Sequence, residues 1–115
     1  MNRLFLILGI FLVATSAHAE TVMPADTQKY VGKNVTVEGP VSEVHHAASG
    51  NVTFVDMGGH YPNNAFAGVI FSDDANKFPN VDTLDGKTVD ISGTIELYHG
   101  RTEIILNDPE QIKAK

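Results

Sequence analysis

The feature that most constrains this chain is a stretch that occurs twice. Gly32-Lys33-Asn34-Val35-Thr36-Val37-Glu38-Gly39-Pro40-Val41 lies over Gly86-Lys87-Thr88-Val89-Asp90-Ile91-Ser92-Gly93-Thr94-Ile95 at a constant offset of 54 residues, and the same offset carries His45 onto His99. Each copy opens on a Gly-Lys turn, alternates branched apolar with polar side chains, and holds a glycine near its middle. Strict alternation is the signature of a strand with one buried face. A mid-strand glycine, followed in the first copy by a proline with no ladder N–H, predicts a bulge or sharp bend there. Two long strands that coil about a glycine meet the demand made at the corners of a small closed barrel. Two copies are too few for a solenoid.

The remaining elements follow from the same alternation. Val44 falls out of phase with Val35, Val37 and Val41, which fits one extra residue at a bulge in the first strand. Val52 to Met57 reads as the second strand and Phe66 to Phe71 as the third. Ser72-Asp73-Asp74 offers a capping side chain and acidic residues to a short helix over Ala75 to Phe78, which Pro79 ends. Thr88 to Leu97 is the fourth strand, with Val89, Ile91, Gly93, Ile95 and Leu97 facing inward, and Thr102 to Leu106 is the fifth. Ile112 tucks a last turn against the sheet. The polar segment 20–30, with Pro24, reads as a loose arm or one short helical turn around Ala25 to Tyr30.

The N-terminus carries one charge at Arg3, an apolar run from Leu4 to Ala14, and Ala17-His18-Ala19 at its end. That is the pattern of a secretory signal cleaved after Ala19, and the run is about half the roughly 20 residues that span a bilayer. The expected organisation is therefore a signal peptide over 1–19, an arm over 20–30 and one domain over 31–115. The mature protein would be periplasmic or secreted, with no membrane attachment. Without Arg3 the chain keeps seven basic against 14 acidic side chains, a formal −7, and a single arginine, Arg101. Such a surface repels polyanions at long range. There is no cysteine, so a disulfide framework, a thiolate metal site and a cysteine nucleophile are excluded.

Three strands, a short helix and two strands describe a five-stranded OB-fold, a Greek-key β-barrel of the all-β class. From Tyr30 to Ile112 the chain resembles the tRNA-anticodon-type OB-fold group, which includes the N-terminal domain of the exonuclease VII large subunit, and small exported bacterial proteins with that fold. The residues that carry the resemblance are Gly32-Lys33 with Val35, Val37 and Gly39; Ser49-Gly50 leading to Phe54; Phe66 to Phe71; and Gly93-Thr94-Ile95 with Tyr98, Gly100-Arg101 and Glu103-Ile104. The resemblance implies a binding module for a nucleotide or oligonucleotide, without enzymatic activity. The group's usual basic surface is missing here. That favours a short or neutral ligand, an oligosaccharide or a protein partner over a long polyanion.

Candidate binding residues gather at the expected turn between the fourth and fifth strands. Gly100 readily takes positive φ in a tight His99-Gly100 hairpin, so Tyr98, His99 and Arg101 share one rim. His45 and His46, in the loop after the first strand, are expected opposite. Tyr61 and Phe66, beside the second and third strands, complete the candidate set, whereas Phe54 and Phe71 are expected to fill the barrel. A ring beside a guanidinium suits a flat or anionic ligand. The competing reading is a hairpin whose Arg101 merely pairs with Glu103 or Glu96. The alternative function is a metal protein or metal-dependent enzyme using His45, His60 and His99, with Asp56 as a carboxylate partner. Adjacent histidines in a strand face opposite ways, so His45 and His46 do not both ligate from regular structure. Phosphoryl transfer needs convergent positive charge, which one arginine does not supply, and no G-x-S-x-G hydrolase motif occurs. No cofactor is expected.

Overall fold

The computed structural model describes residues 19–115; the predicted signal peptide lies outside the described residues, apart from Ala19. The fold is all-β. Among the described residues eight strands form one connected sheet: β1 (Glu20–Val22), β2 (Asn34–His46), β3 (Val52–Met57), β4 (Phe66–Phe71), β5 (Thr88–Thr94), β6 (Glu96–Tyr98), β7 (Arg101–Ile105) and β8 (Ile112–Ala114). The order across the sheet is β6-β7-β4-β3-β2-β5-β8, with β1 alongside β2. All pairs are antiparallel except β1 with β2 and β4 with β7.

The two copies of the repeated stretch are each other's partners. Asn34 pairs with Thr94 and Pro40 with Thr88 in an unbroken antiparallel ladder, so the echo reflects one shared geometry. Val35, Val37, Val89 and Ile91 point into the core from this ladder and are fully buried. Gly93 sits at φ +156°, and a Cβ there would stand 2.6 Å from Ile104 Cγ2. Gly39 makes room for the N-terminal segment, since its Cβ would meet Pro24 Cγ at 2.9 Å.

The predicted bulge exists, but three residues past the glycine. Pro40 stays in register with Thr88, and the register shifts between Val41 and Glu43. Ser42 is the extra residue. Its insertion leaves Val41 facing the core, brings Val44 back to that side opposite Val55, and turns Glu43 and His45 to the outer face opposite Asp56 and Phe54. The change of phase at Val44 thus does mark an extra residue, but at Ser42 and not at Gly39-Pro40, because Pro40 directs its missing donor away from the ladder without displacing it.

Several other expectations need correction. Of the two expectations for segment 20–30, the helical turn holds, as a 3₁₀ segment over Pro24–Tyr30, and the loose arm does not. The segment pairs through β1 with β2, and Val22, Pro24 and Thr27 are buried. The Thr27 hydroxyl bonds the Pro24 carbonyl and also the hydroxyl of Thr102 in β7. The helix between the third and fourth predicted strands is two short 3₁₀ segments, Ser72–Lys77 and Val81–Leu84. No side chain caps the first, and Asp74 instead pairs with Lys77 at 2.9 Å. Pro79 leaves too few residues for an α-helix to offset its costly first turn. The fourth predicted strand is interrupted at Ile95: β5 lies on β2, while β6 turns away to pair with β7. Leu97, expected inside, is therefore 53 % exposed.

The end of the chain is tied down by one amide. Gln111 donates to the Ser92 and Ile105 carbonyls and accepts from the N–H groups of Asn107 and Asp108. Asp108 in turn accepts from Glu110 N–H, giving a capping box over the last 3₁₀ turn. Ile112 packs against the core as the sequence predicts.

Candidate functional site

Strand alternation fixes which side chains share the outer face. In β3 the odd positions Val55 and Met57 enter the core, so Val52, Phe54 and Asp56 point outward. In β4 Phe66 and Ile70 are buried in the core, which leaves Ala67, Val69 and Phe71 outward. In β7 Thr102 and Ile104 face in, and Arg101 and Glu103 face out. Cross-strand register then aligns Glu43, Asp56, Ala67 and Glu103 in one row, with His45, Phe54 and Val69 in the next. The site is thus a consequence of register, completed by two loops.

The first loop joins β3 to β4. The Gly59 N–H donates to Ser42 Oγ at 3.0 Å, so the residue that makes the bulge also anchors this loop. The loop contains a cis Tyr61–Pro62 bond and lays the Tyr61 ring 5.4 Å from that of His45. The second is the β6–β7 hairpin, whose His99 and Gly100 have φ of +50° and +78°. Positive φ at both central residues is the twist-matched two-residue turn. Tyr98 and His99 meet edge to face at 4.1 Å.

Between these loops lies a cleft of about 340 Å³ lined by Phe54, Asp56, Tyr61, Asn64, Ala67, Tyr98, His99, Arg101 and Glu103. A second, more apolar hollow of about 190 Å³ adjoins it, sharing Phe54, Tyr98 and Glu103 and reaching Val52, Val69 and Phe71. The Arg101 guanidinium lies over the Tyr61 ring, 5.0 Å from its centre. Among the described residues it forms no ion pair, so the expected competing contact with Glu103 or Glu96 does not occur. Stacking on an aromatic face while keeping its forked donors available is a geometry that arginine adopts and lysine does not.

The carboxyl groups of the cleft are perturbed. Burial pushes Asp56 up to about 6, with Glu43 adding to the rise and the nearby His45 and Arg101 opposing it. Glu103 is also raised by burial, partly offset by Arg101. Asn64 is 5 % exposed and donates to Asp56 Oδ1 at 3.3 Å and to the Phe66 carbonyl at 3.2 Å. Its own Oδ1 has no hydrogen-bond partner. Perturbed acids and a free buried acceptor gathered in one cleft mark a candidate site on physical grounds.

Of the residues singled out in the sequence, Tyr98, His99, Arg101 and Tyr61 line the cleft together. His45 stands at its edge, stacked on Phe54 at 5.0 Å. His46 does not belong to it. Alternation turns it to the other side, where it contacts Thr53 Oγ1 at 2.9 Å and Asp82 at 3.0 Å. Phe66 is fully buried and belongs to the core. Phe54 and Phe71, expected inside, are on the outer face, and Phe71 is 45 % exposed. The three-histidine set is not assembled either: His60 reaches Glu43 at 2.7 Å, His99 packs on Tyr98, and among the described residues the donor groups that converge are those of Glu43, His45 and Asp56. The sequence reading missed Asn64, Glu43 and Glu103. Glu103 was detectable as an outward position next to Arg101, whereas Glu43 depended on placing the bulge.

No protein-family model matches the chain, and no curated protein matches it in sequence. Solved structures do. The chain is similar over 91 % of its length to a protein described as an aspartyl-tRNA synthetase from Leishmania major Friedlin, with 12 % identity and a TM-score of 0.56, and it spans only 22 % of that chain. It is also similar to OBody AM1L10, solved bound to hen egg-white lysozyme, with 22 % identity, a TM-score of 0.61, and coverage of 88 % of this chain and 98 % of that one. Both likenesses are of fold alone, and that fold is OB-like.

Proposed function

We propose that this chain is an exported, non-enzymatic binding module that takes a short single-stranded oligonucleotide in the cleft. Residues 1–19 serve as its export signal, which places it in the periplasm or outside the cell. In this reading β5, Ile95 and β6 act as one bent strand, and β2, β3, β4 and β7 complete a five-stranded barrel of the anticodon-binding type. The observation that carries the proposal is Arg101 stacked on Tyr61 beside Tyr98, in no ion pair among the described residues. Two adjoining hollows that share Tyr98 suit two consecutive bases. Asn64 Oδ1 offers an acceptor to a base's exocyclic amine. Stacking supplies most of the affinity, about 1–3 kcal/mol per base, because an acidic surface with one arginine holds few phosphates.

Fluorescence anisotropy with labelled tetra- to hexanucleotides across a salt series tests this. The expected result is saturable binding with a shallow salt dependence, a log–log slope of roughly −0.7 for each phosphate held. A steep slope, or a ligand held with equal affinity by the Tyr98→Ala, Arg101→Ala double variant, places the interaction elsewhere. Preference for a neutral oligosaccharide over every oligonucleotide in the same screen replaces the ligand class.

A further inference from the structure

We propose that Glu43, His45 and Asp56 form a binding site for a divalent transition ion of the zinc type. One donor atom from each residue lies within 4.8 Å of the other two. His45 Nδ1 is 2.9 Å from Asp56 Oδ2 and 3.9 Å from Glu43 Oε2. Donors about 2.0–2.2 Å from one tetrahedral ion stand roughly 3–3.5 Å apart. The observed separations bracket that range, so small side-chain rotations close the set around an ion.

Asp56 is 1 % exposed, and its Oδ2 makes no hydrogen bond. His45 Nδ1 is likewise buried without a hydrogen bond, although the two atoms are only 2.9 Å apart. The contact has the distance of an ion pair but lacks the alignment of N–H with oxygen that a hydrogen bond needs. Buried polar groups left without an aligned hydrogen bond are destabilising. A cation that accepts both lone pairs removes that cost.

The surrounding contacts fit ligation. Asp56 Oδ1 is held by Asn64 Nδ2, and Glu43 Oε1 by His60 Nδ1 at 2.7 Å. Each carboxylate thus has one oxygen fixed from outside and the other turned toward His45, as carboxylates that bind metals commonly do. The side chains of His45 and Glu43 are 23 % and 34 % exposed, so solvent reaches the remaining coordination position. One imidazole and two carboxylates suit Zn²⁺ or Mn²⁺, and not the soft ions that demand thiolate. This site uses neither Tyr98 nor Arg101, so it stands or falls separately from the oligonucleotide reading.

Isothermal titration of ZnCl₂ into the tag-free purified protein, stripped with EDTA and dialysed, tests the proposal. The expected result is one zinc per chain and a rise in melting temperature with added zinc. His45→Ala and Asp56→Asn are each expected to weaken binding at least tenfold, whereas His46→Ala leaves it unchanged. If Asp56→Asn does not fold by circular dichroism, Glu43→Gln at the more exposed carboxylate carries the same expectation. Absence of saturable uptake overturns the site. Equal losses in His45→Ala and His46→Ala overturn it too, by showing that zinc binds surface histidines generally.

Discussion

The two halves of β2 make an instructive pair. From Asn34 to Pro40 the strand lies on β5, and its outward polar groups find partners across the ladder. Thr36 and Ser92 share a hydroxyl bond of 2.8 Å, and Lys115 approaches both Glu38 and Asp90. From Glu43 to His46 the same strand lies on β3, and its outer row holds stacked rings and buried polar atoms left without hydrogen bonds. Beside the first half, Asp90 Oδ1 of β5 is also without a hydrogen bond, but it lines neither of the two hollows. The difference teaches that one strand can be built for stability along half its length and for binding along the other. The boundary between them is Ser42.

Breaking the stable half should have the largest effect. Gly93→Val places a branched side chain at φ +156° with its Cβ 2.6 Å from Ile104 Cγ2. A loss of about 3 kcal/mol or more is expected by urea denaturation, and a melting curve equal to the parent's would refute the packing argument. Gly39→Val should cost somewhat less, about 1–3 kcal/mol, because the atom it meets belongs to Pro24 in a peripheral segment.

The binding half should respond with the opposite sign. With metal chelated, the folded state holds the Asp56 proton up to about pH 6, against about 3.9 in the unfolded chain. Its contribution is therefore full below pH 4 and is lost as pH rises through 6. Asp56→Asn should stabilise the metal-free protein at pH 7.5 by about 1–3 kcal/mol and flatten the decline between pH 4 and 6. A destabilised variant at pH 7.5 would show that the carboxylate is structural.

Smaller changes sharpen the contrast. Tyr98→Ala, at a side chain 61 % exposed, should leave stability within about 1 kcal/mol while weakening oligonucleotide binding roughly tenfold or more. Thr36→Val should do the reverse, costing about 0.5–1.5 kcal/mol with affinity unaltered. Loss of affinity in Thr36→Val would erase the distinction between the halves.

Much of this fold was legible because alternation and turn residues are local signals. Val35, Val37, Val89, Ile91 and Ile104 announce their burial by period alone. The β6–β7 hairpin, with Tyr98 and Arg101 on one rim, could be read from Gly100 and its neighbours. What escaped depends on partners distant in sequence. β1 forms only because β2 offers it an edge, and no pattern in three residues predicts that. Phe54 and Phe71 looked like core because aromatic rings usually are, yet the phase of Val55 and Ile70 puts them outside. Glu43 and Asp56 meet only through a register shift, which sequence spacing hinted at without locating.

Ser42 also sets a rule for how this protein tolerates changes in length. The loop after β2 can gain or lose residues without altering which side chains face the core. A deletion at Ser42 has no such freedom. With a side-chain period of two, removing one residue there carries every later position of the strand to the opposite face. Glu43 and His45 would be driven against Val55, and Val44 would be left in water. Homologous chains that differ in length at this point should therefore differ in the cleft itself, whereas chains that differ in length in the loop after β2 should keep it.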